Sequence, residues 1–97
     1  MFEWDEAKRQ ATLEKHGIDF VDAVEIFSTT HLVVGARSEI ESRKLAVGEL
    51  DQETISVIFT IRDDAIRIIT ARRARRNERE QYYALLSRRN SGDEEPH

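Results

Sequence analysis

An α+β fold is predicted by three features of this 97-residue chain. Apolar residues recur at helical spacing as far as Phe27, and then with period 2 from His31 to Arg72. The segment 76–88 after the last strand returns to helical spacing, with Tyr82, Leu85 and Leu86 as its apolar contacts. This order predicts two N-terminal helices, a small antiparallel sheet and one C-terminal helix in a compact two-layer domain. A chain of this length closes one core and has no material for a second, so residues 1–89 are read as a single domain. Residues 90–97, NSGDEEPH, are read as an acidic disordered tail with no means of burying itself.

Each element has its own signal. Residues 1–4 are short and apolar enough for an edge strand. Residues 5–16 predict a helix: Asp5 caps the first turn, Ala, Glu, Lys, Arg and Leu fill it, and Gly17 supplies a left-handed stop. Trp4, Ala7 and Ala11 form its apolar side, with Lys8, Thr12, Lys15 and His16 along the edge. A second helix over 20–27 follows Asp19 as N-cap and presents Phe20, Ala23, Val24 and Phe27 to a core. Strands are predicted over 31–35, 43–49, 54–62 and 65–72, with a tight hairpin at the sequence RDDA. Ile55, Val57, Phe59 and Ile61 are expected on one face of the third of these, and Ser56, Ile58 and Thr60 on the other. Ile58 and Ile69 both point away from the main apolar face, so the second face needs cover from the last helix, 76–88, or from a partner.

Composition narrows the chemistry. The chain is 39% hydrophobic and 35% charged, as suits a small folded domain. With no cysteine and only three scattered histidines, neither disulfides nor a metal site nor a resident cofactor is expected. No apolar run approaches membrane-spanning length, which predicts a cytoplasmic protein with no membrane partner. The net charge of −4 hides a segregation: residues 71–89 hold seven arginines against two glutamates, +5, which leaves −9 for the remainder. A polyanion can therefore dock on one surface of an acidic chain, although Arg–Glu pairs on a solvated helix account for the same pattern.

The candidate functional residues follow from that charge map. Lys15 and His16 sit at the negative end of the first helix, where a cation is stabilised, so they serve as a helix terminus or as a phosphate clamp and proton donor. Trp4 packs in the core or stacks on an unpaired base beside Lys8. Arg72 and Arg73 alternate at the end of the last strand and are expected on opposite faces, where a fixed guanidinium grips a phosphate bidentately. Arg76 and Arg79 on the last helix add diffuse attraction. His31, alone at a strand entry, is read as structural.

The stretches FEWDEAK, KHGIDF, LAVGEL, FTIRDDAIRIITARRA and REQYY together resemble the BrnT-type toxins of bacterial type II toxin–antitoxin systems, over most of the chain. Thr12 stands where relatives often carry Asn, and Arg75 where a Ser or Thr commonly opens a capping box with Glu78. The resemblance implies a RelE-like fold and a ribonuclease activity that inhibits translation. It also implies a BrnA-like ribbon-helix-helix antitoxin as partner, and operator DNA bound through the antitoxin complex. On this reading the chain is a metal-independent endoribonuclease with RNA as its substrate. Lys15, His16, Arg72 and Arg73 act on the phosphate, and Trp4, Lys8, Thr12, Arg76 and Arg79 hold the RNA. The alternative is a non-catalytic partner-binding and DNA-binding regulatory module.

Overall fold

The computed structural model describes residues 1–36 and 42–94. Its elements are β1 (Phe2–Trp4), α1 (Glu6–His16), α2 (Phe20–Ala23), a 3-10 helix (Val24–Ser28), β2 (Leu32–Gly35), β3 (Lys44–Leu50), β4 (Glu53–Arg62), β5 (Ala65–Arg73) and α3 (Arg76–Glu94). The chain is α+β, and its details correct the expectation in three ways.

The sheet is mixed and not purely antiparallel. Its order is β1-β5-β4-β3-β2, and β1 lies parallel to β5 while the other pairs are antiparallel. Parallel pairing needs a long connection, and here all of α1 through β4 intervenes, so local periodicity carried no trace of it. The second N-terminal helix is one α-turn continued as a 3-10 helix. Asp19 caps its start as expected, but Val24, Ile26 and Phe27 are indifferent helix formers and the turn tightens around them. Finally, helices lie against both faces of the sheet, giving three layers in place of two.

One face carries the main core. Phe20, Ala23 and Ile26 meet Ala46, Ile55, Val57, Phe59, Ile68 and Ala71, with Trp4 and Phe27 packed at the margin. The small residues of β3 make this possible: a Cβ on Gly48 would stand 2.8 Å from Ile26 Cβ. On the opposite face Leu45 and Val47 pack with Ala74 and Tyr82, and Ile58 lies beside them only partly buried. Ile61, expected on the same face as Ile55, Val57 and Phe59, is 58% exposed near the hairpin end of β4.

Both two-residue hairpin turns place their central residues at positive φ: Asp51 and Gln52 between β3 and β4, Asp63 and Asp64 between β4 and β5. That is the backbone sense that matches strand twist. At the C-terminal end the helical backbone of α3 continues past the expected stop at Arg88 to Glu94, while 95–97 of the expected tail lie outside the described residues. Among the described residues no helix is long and apolar enough to cross a membrane.

Candidate active site

The first helix is held by its ends and by one buried residue. Asp5 accepts from the backbone N–H groups of Ala7 and Lys8, and Gly17, at φ 70°, donates to the Leu13 carbonyl. Arg9 donates to both Asp19 oxygens at 2.8 and 3.0 Å and also pairs with Glu6. This fixes α1 against the start of α2, and the Arg9 guanidinium holds the Asp19 carboxyl down to about 2. Ala7 and Ala11, expected on the buried side, are exposed. The one buried residue of α1 is Thr12, whose hydroxyl lies 3.4 Å from that of Thr70 on β5.

Turning Thr12 inward brings its neighbours at helical spacing to the same place. Lys8, Thr12, Lys15 and His16 line one open cleft of about 300 Å³ together with Ile69 and Thr70. Three of these four are cations or carry a protonatable ring, and two of them, Lys15 and His16, stand at the negative end of the helix dipole.

A bulge in β5 sets the other side of this cleft. Ile58 pairs with Thr70 and Phe59 with Ile68, so Ile69 opposes no residue of β4. The extra residue reverses the phase of the strand. Ile66 and Ile68 face the main core before it, and Ala71 takes that side after it. Ile69 borders the α1 cleft instead of the second sheet face. β1 accompanies β5 only along Ile66–Ile68, so Thr70 stands beside α1 with no strand between them.

The two strand-end arginines point apart, as expected of neighbouring strand residues, and the phase reversal sets which of them takes which face. Arg73 is exposed; it donates to Glu53 at 2.8 Å and to the His16 carbonyl at 3.3 Å. It thereby adds a cation to the C-terminal end of α1 and ties that end to the sheet. Arg72 takes the other face and grips Glu78 with two N–H···O bonds of 2.7 and 2.9 Å. Glu78 also accepts from the fully buried Ser56 hydroxyl at 2.7 Å and from the Arg75 backbone N–H at 2.8 Å. The latter is half of a capping box, formed although Arg75 has no side-chain hydroxyl to complete it. The Arg72 guanidinium above all, helped by these two donors, holds the Glu78 carboxyl at about 2 against the upward push of its burial.

Beyond this hub α3 leaves a groove of about 660 Å³ along the second face, bordered by Arg72, Arg75 and Glu78. Thr70 borders both the groove and the α1 cleft, so the two depressions meet at the bulged strand.

The remaining expected residues lie outside both depressions. Trp4 packs edge-on to Phe20, with ring centroids 6.0 Å apart, and its Nε1 donates to Glu6. Arg76 is almost fully exposed and pairs with Glu80 at 3.6 Å. Arg79 is half-buried and donates to the Ala74 carbonyl at the start of α3, which makes it a structural tether of the strand-to-helix passage. His31, read as structural, donates through Nδ1 to the Thr29 carbonyl and packs on Phe27. Sequence reasoning passed over Thr70, Ser56 and the Arg72–Glu78 pairing. The adjacent pair Ile68-Ile69, which breaks the alternation of β5, was the available sign of the bulge.

A family model described as the ribonuclease toxin BrnT of type II toxin–antitoxin systems matches residues 4–78, a span that contains both the α1 cleft and the Arg72–Glu78 pair. The 1.1 Å crystal structure of the Brucella abortus ribonuclease toxin BrnT is 35% identical in sequence with a TM-score of 0.64, over 78% of this chain and 99% of that one. No curated protein sequence matches.

Proposed function

The chain belongs to the BrnT family of ribonuclease toxins of type II toxin–antitoxin systems, and on that premise we propose that it cleaves RNA at the α1 cleft without a metal ion. The observation that carries this reading is the convergence of Lys8, Thr12, Lys15 and His16 with Thr70 in one open cleft. RNA brings its own nucleophile: the 2′-oxygen bonds to the adjacent phosphorus as it gives up its proton to a water molecule, and the bond from phosphorus to the 5′-oxygen breaks as that oxygen takes a proton. The products are a 2′,3′-cyclic phosphate and a 5′-hydroxyl. The protein's part is to neutralise charge on the phosphorane and supply the leaving group's proton.

Lys15 takes the first task and His16 the second. Lys8 attracts the backbone, and the Thr12 hydroxyl contacts the substrate from beside Thr70. Arg73, bonded to the His16 carbonyl, acts chiefly as a positioning cation. Arg72, across Thr70, clamps a neighbouring phosphate from the orientation Glu78 gives it. Trp4, half-buried and edge-on to Phe20, offers only part of its ring, and Arg76 and Arg79 frame the surface by which RNA approaches. The wider reading is a RelE-like toxin of the cytoplasm that inhibits translation. A BrnA-like ribbon-helix-helix antitoxin neutralises it, and the complex binds operator DNA.

Single-turnover cleavage of a short RNA tests this. His16→Gln is expected to slow cleavage about 10²-fold or more, in the range for losing a general acid, while its melting stays within about 1 kcal/mol of wild type. Lys15→Ala is expected to slow it too, through weaker charge stabilisation. Normal cleavage by folded His16→Gln protein would move the proton donor out of the cleft.

A further inference from the structure

The groove beside α3 is built differently from the α1 cleft. Leu32, Val34, Leu45, Val47 and Ile58 line it, and Leu32, Val34 and Ile58 are only partly buried. No aromatic residue is among those that line it, so it offers unpaired bases no stacking surface. Aliphatic residues left half in water are instead satisfied by apolar side chains, each gaining about 25 cal/mol for every Å² withdrawn from water. The groove's border toward α3 is basic. Arg75 is exposed, and its guanidinium has no ion-pair partner among the described residues. Arg72 is already held by Glu78, and Arg75 is the exposed cation of this border best placed to meet an external carboxylate.

We propose that this groove seats an acidic amphipathic segment of the antitoxin, with apolar side chains on Val34 and Ile58 and a carboxylate on Arg75. This rests on the toxin–antitoxin reading and adds to it the surface and the chemistry of the partner. Charge complementarity selects the occupant. The segment 71–89 is at +5 in a chain otherwise at −9, so an acidic segment is attracted to this side and repelled elsewhere. Seating it also inhibits. Arg72 and Thr70 border the same groove, so an occupant there removes Arg72 from RNA and overhangs the junction with the α1 cleft. Inhibition of this kind leaves Lys15 and His16 untouched and becomes competitive with RNA.

The test uses this chain purified as a complex with the antitoxin encoded beside it. Backbone hydrogen exchange of the free chain and of the complex is expected to show new protection along Leu32–Gly35 and around Ile58. Val34→Asp and Arg75→Glu are expected to weaken antitoxin binding about 10²-fold and about 10-fold, while Val34→Asp retains RNA cleavage. Should Val34→Asp fail to fold, Arg75→Glu, at an exposed position, and the exchange map still decide. Wild-type antitoxin affinity in Arg75→Glu, together with protection confined to other surfaces, overturns the proposal. So does a groove protected by RNA but not by antitoxin. Loss of all RNA cleavage with antitoxin binding intact sinks the ribonuclease assignment of the cleft and leaves this surface standing.

Discussion

The two faces of the sheet are made from the same strands, yet one is closed and the other is not. Toward α1, α2 and the 3-10 helix, Phe20, Ala23, Ile26, Ala46 and Val57 are completely buried. Toward α3 the floor of Leu45 and Val47 is buried while Leu32, Val34 and Ile58 keep part of their surface in water. The difference lies in the helices. α2 and the 3-10 helix present aromatic and branched residues to small partners on β3, so the layers approach closely. α3 offers Tyr82 and Leu86, with Ala74 just ahead of it, and anchors itself through polar bonds: Glu78 to Ser56 and Arg72, and Tyr83 to Thr54 at 3.0 Å. Apolar contact closes one face and a charged hub pins the other, which leaves room beside the hub for something that is not part of the chain.

The comparison breaks most visibly at Phe20. Phe20→Ala is expected to cost about 3–5 kcal/mol, because it empties the centre of the closed face and removes the edge contact to Trp4. Ile58→Ala, on the half-open face, is expected to cost clearly less, since the side chain never fully left water. Urea unfolding of both variants measures this, and equal losses would mean that the second face is as closed as the first.

The hub is the next largest effect. Glu78→Gln removes the bidentate charge pair with Arg72 and weakens two further hydrogen bonds, for a loss of about 2 kcal/mol. Its pH signature identifies the cause. The folded-state carboxyl sits at about 2 against an ordinary value of 4.5, so its stabilisation is complete above 4.5 and disappears as the pH falls toward 2. Wild-type melting should therefore decline across that window. Glu78→Gln should decline less, its remaining slope coming in part from Asp19, which Arg9 also holds at about 2. An unchanged slope would show that Glu78 is not the hub.

Legibility in the sequence followed the same division. The α1 caps at Asp5 and Gly17, the succession of strands along the chain and the hairpin at Asp63-Asp64 rest on local backbone chemistry and were readable. So were Lys8, Thr12, Lys15 and His16 as a group, because i, i+4 spacing alone gathers them. Which way the group faces was not readable: the alanines suggested one side of α1, and the Thr12–Thr70 contact chose another. That choice depends on the bulge at Ile69, a register event between two strands. The Arg72–Glu78 pair has the same origin, since the bulge decides which arginine meets α3. The parallel seat of β1 depends on the whole chain and leaves no local mark.

Two glycines sharpen the contrast at smaller amplitude. Gly48→Ala forces a methyl to 2.8 Å from Ile26 Cβ, on the side where the 3-10 helix presses against β3, and is expected to destabilise by about 1–3 kcal/mol. Gly35→Ala meets nothing within 4 Å and should be neutral or slightly stabilising, because alanine costs less backbone entropy in a strand. Thermal melts of the pair report directly on how tightly each site is packed. A neutral Gly48→Ala would mean the 3-10 helix yields, and the closed face would be softer than its burial suggests.

The smallest expected effect separates approach from chemistry. Arg76 is almost fully exposed and its pair with Glu80 spans 3.6 Å, so Arg76→Gln should leave melting unchanged within measurement. If the exposed arginines of α3 guide RNA, the variant should bind RNA more weakly. The slope of log affinity against log salt should fall by about 0.7, the contribution of one phosphate contact to a single strand. Cleavage at saturating RNA should be unaffected, because Arg76 borders neither the α1 cleft nor the groove. Arg79→Gln makes a useful companion: its bond to the Ala74 carbonyl predicts a stability loss that Arg76→Gln does not share. A fall in saturating turnover in Arg76→Gln would move the reacting phosphate toward α3 and away from Lys15 and His16.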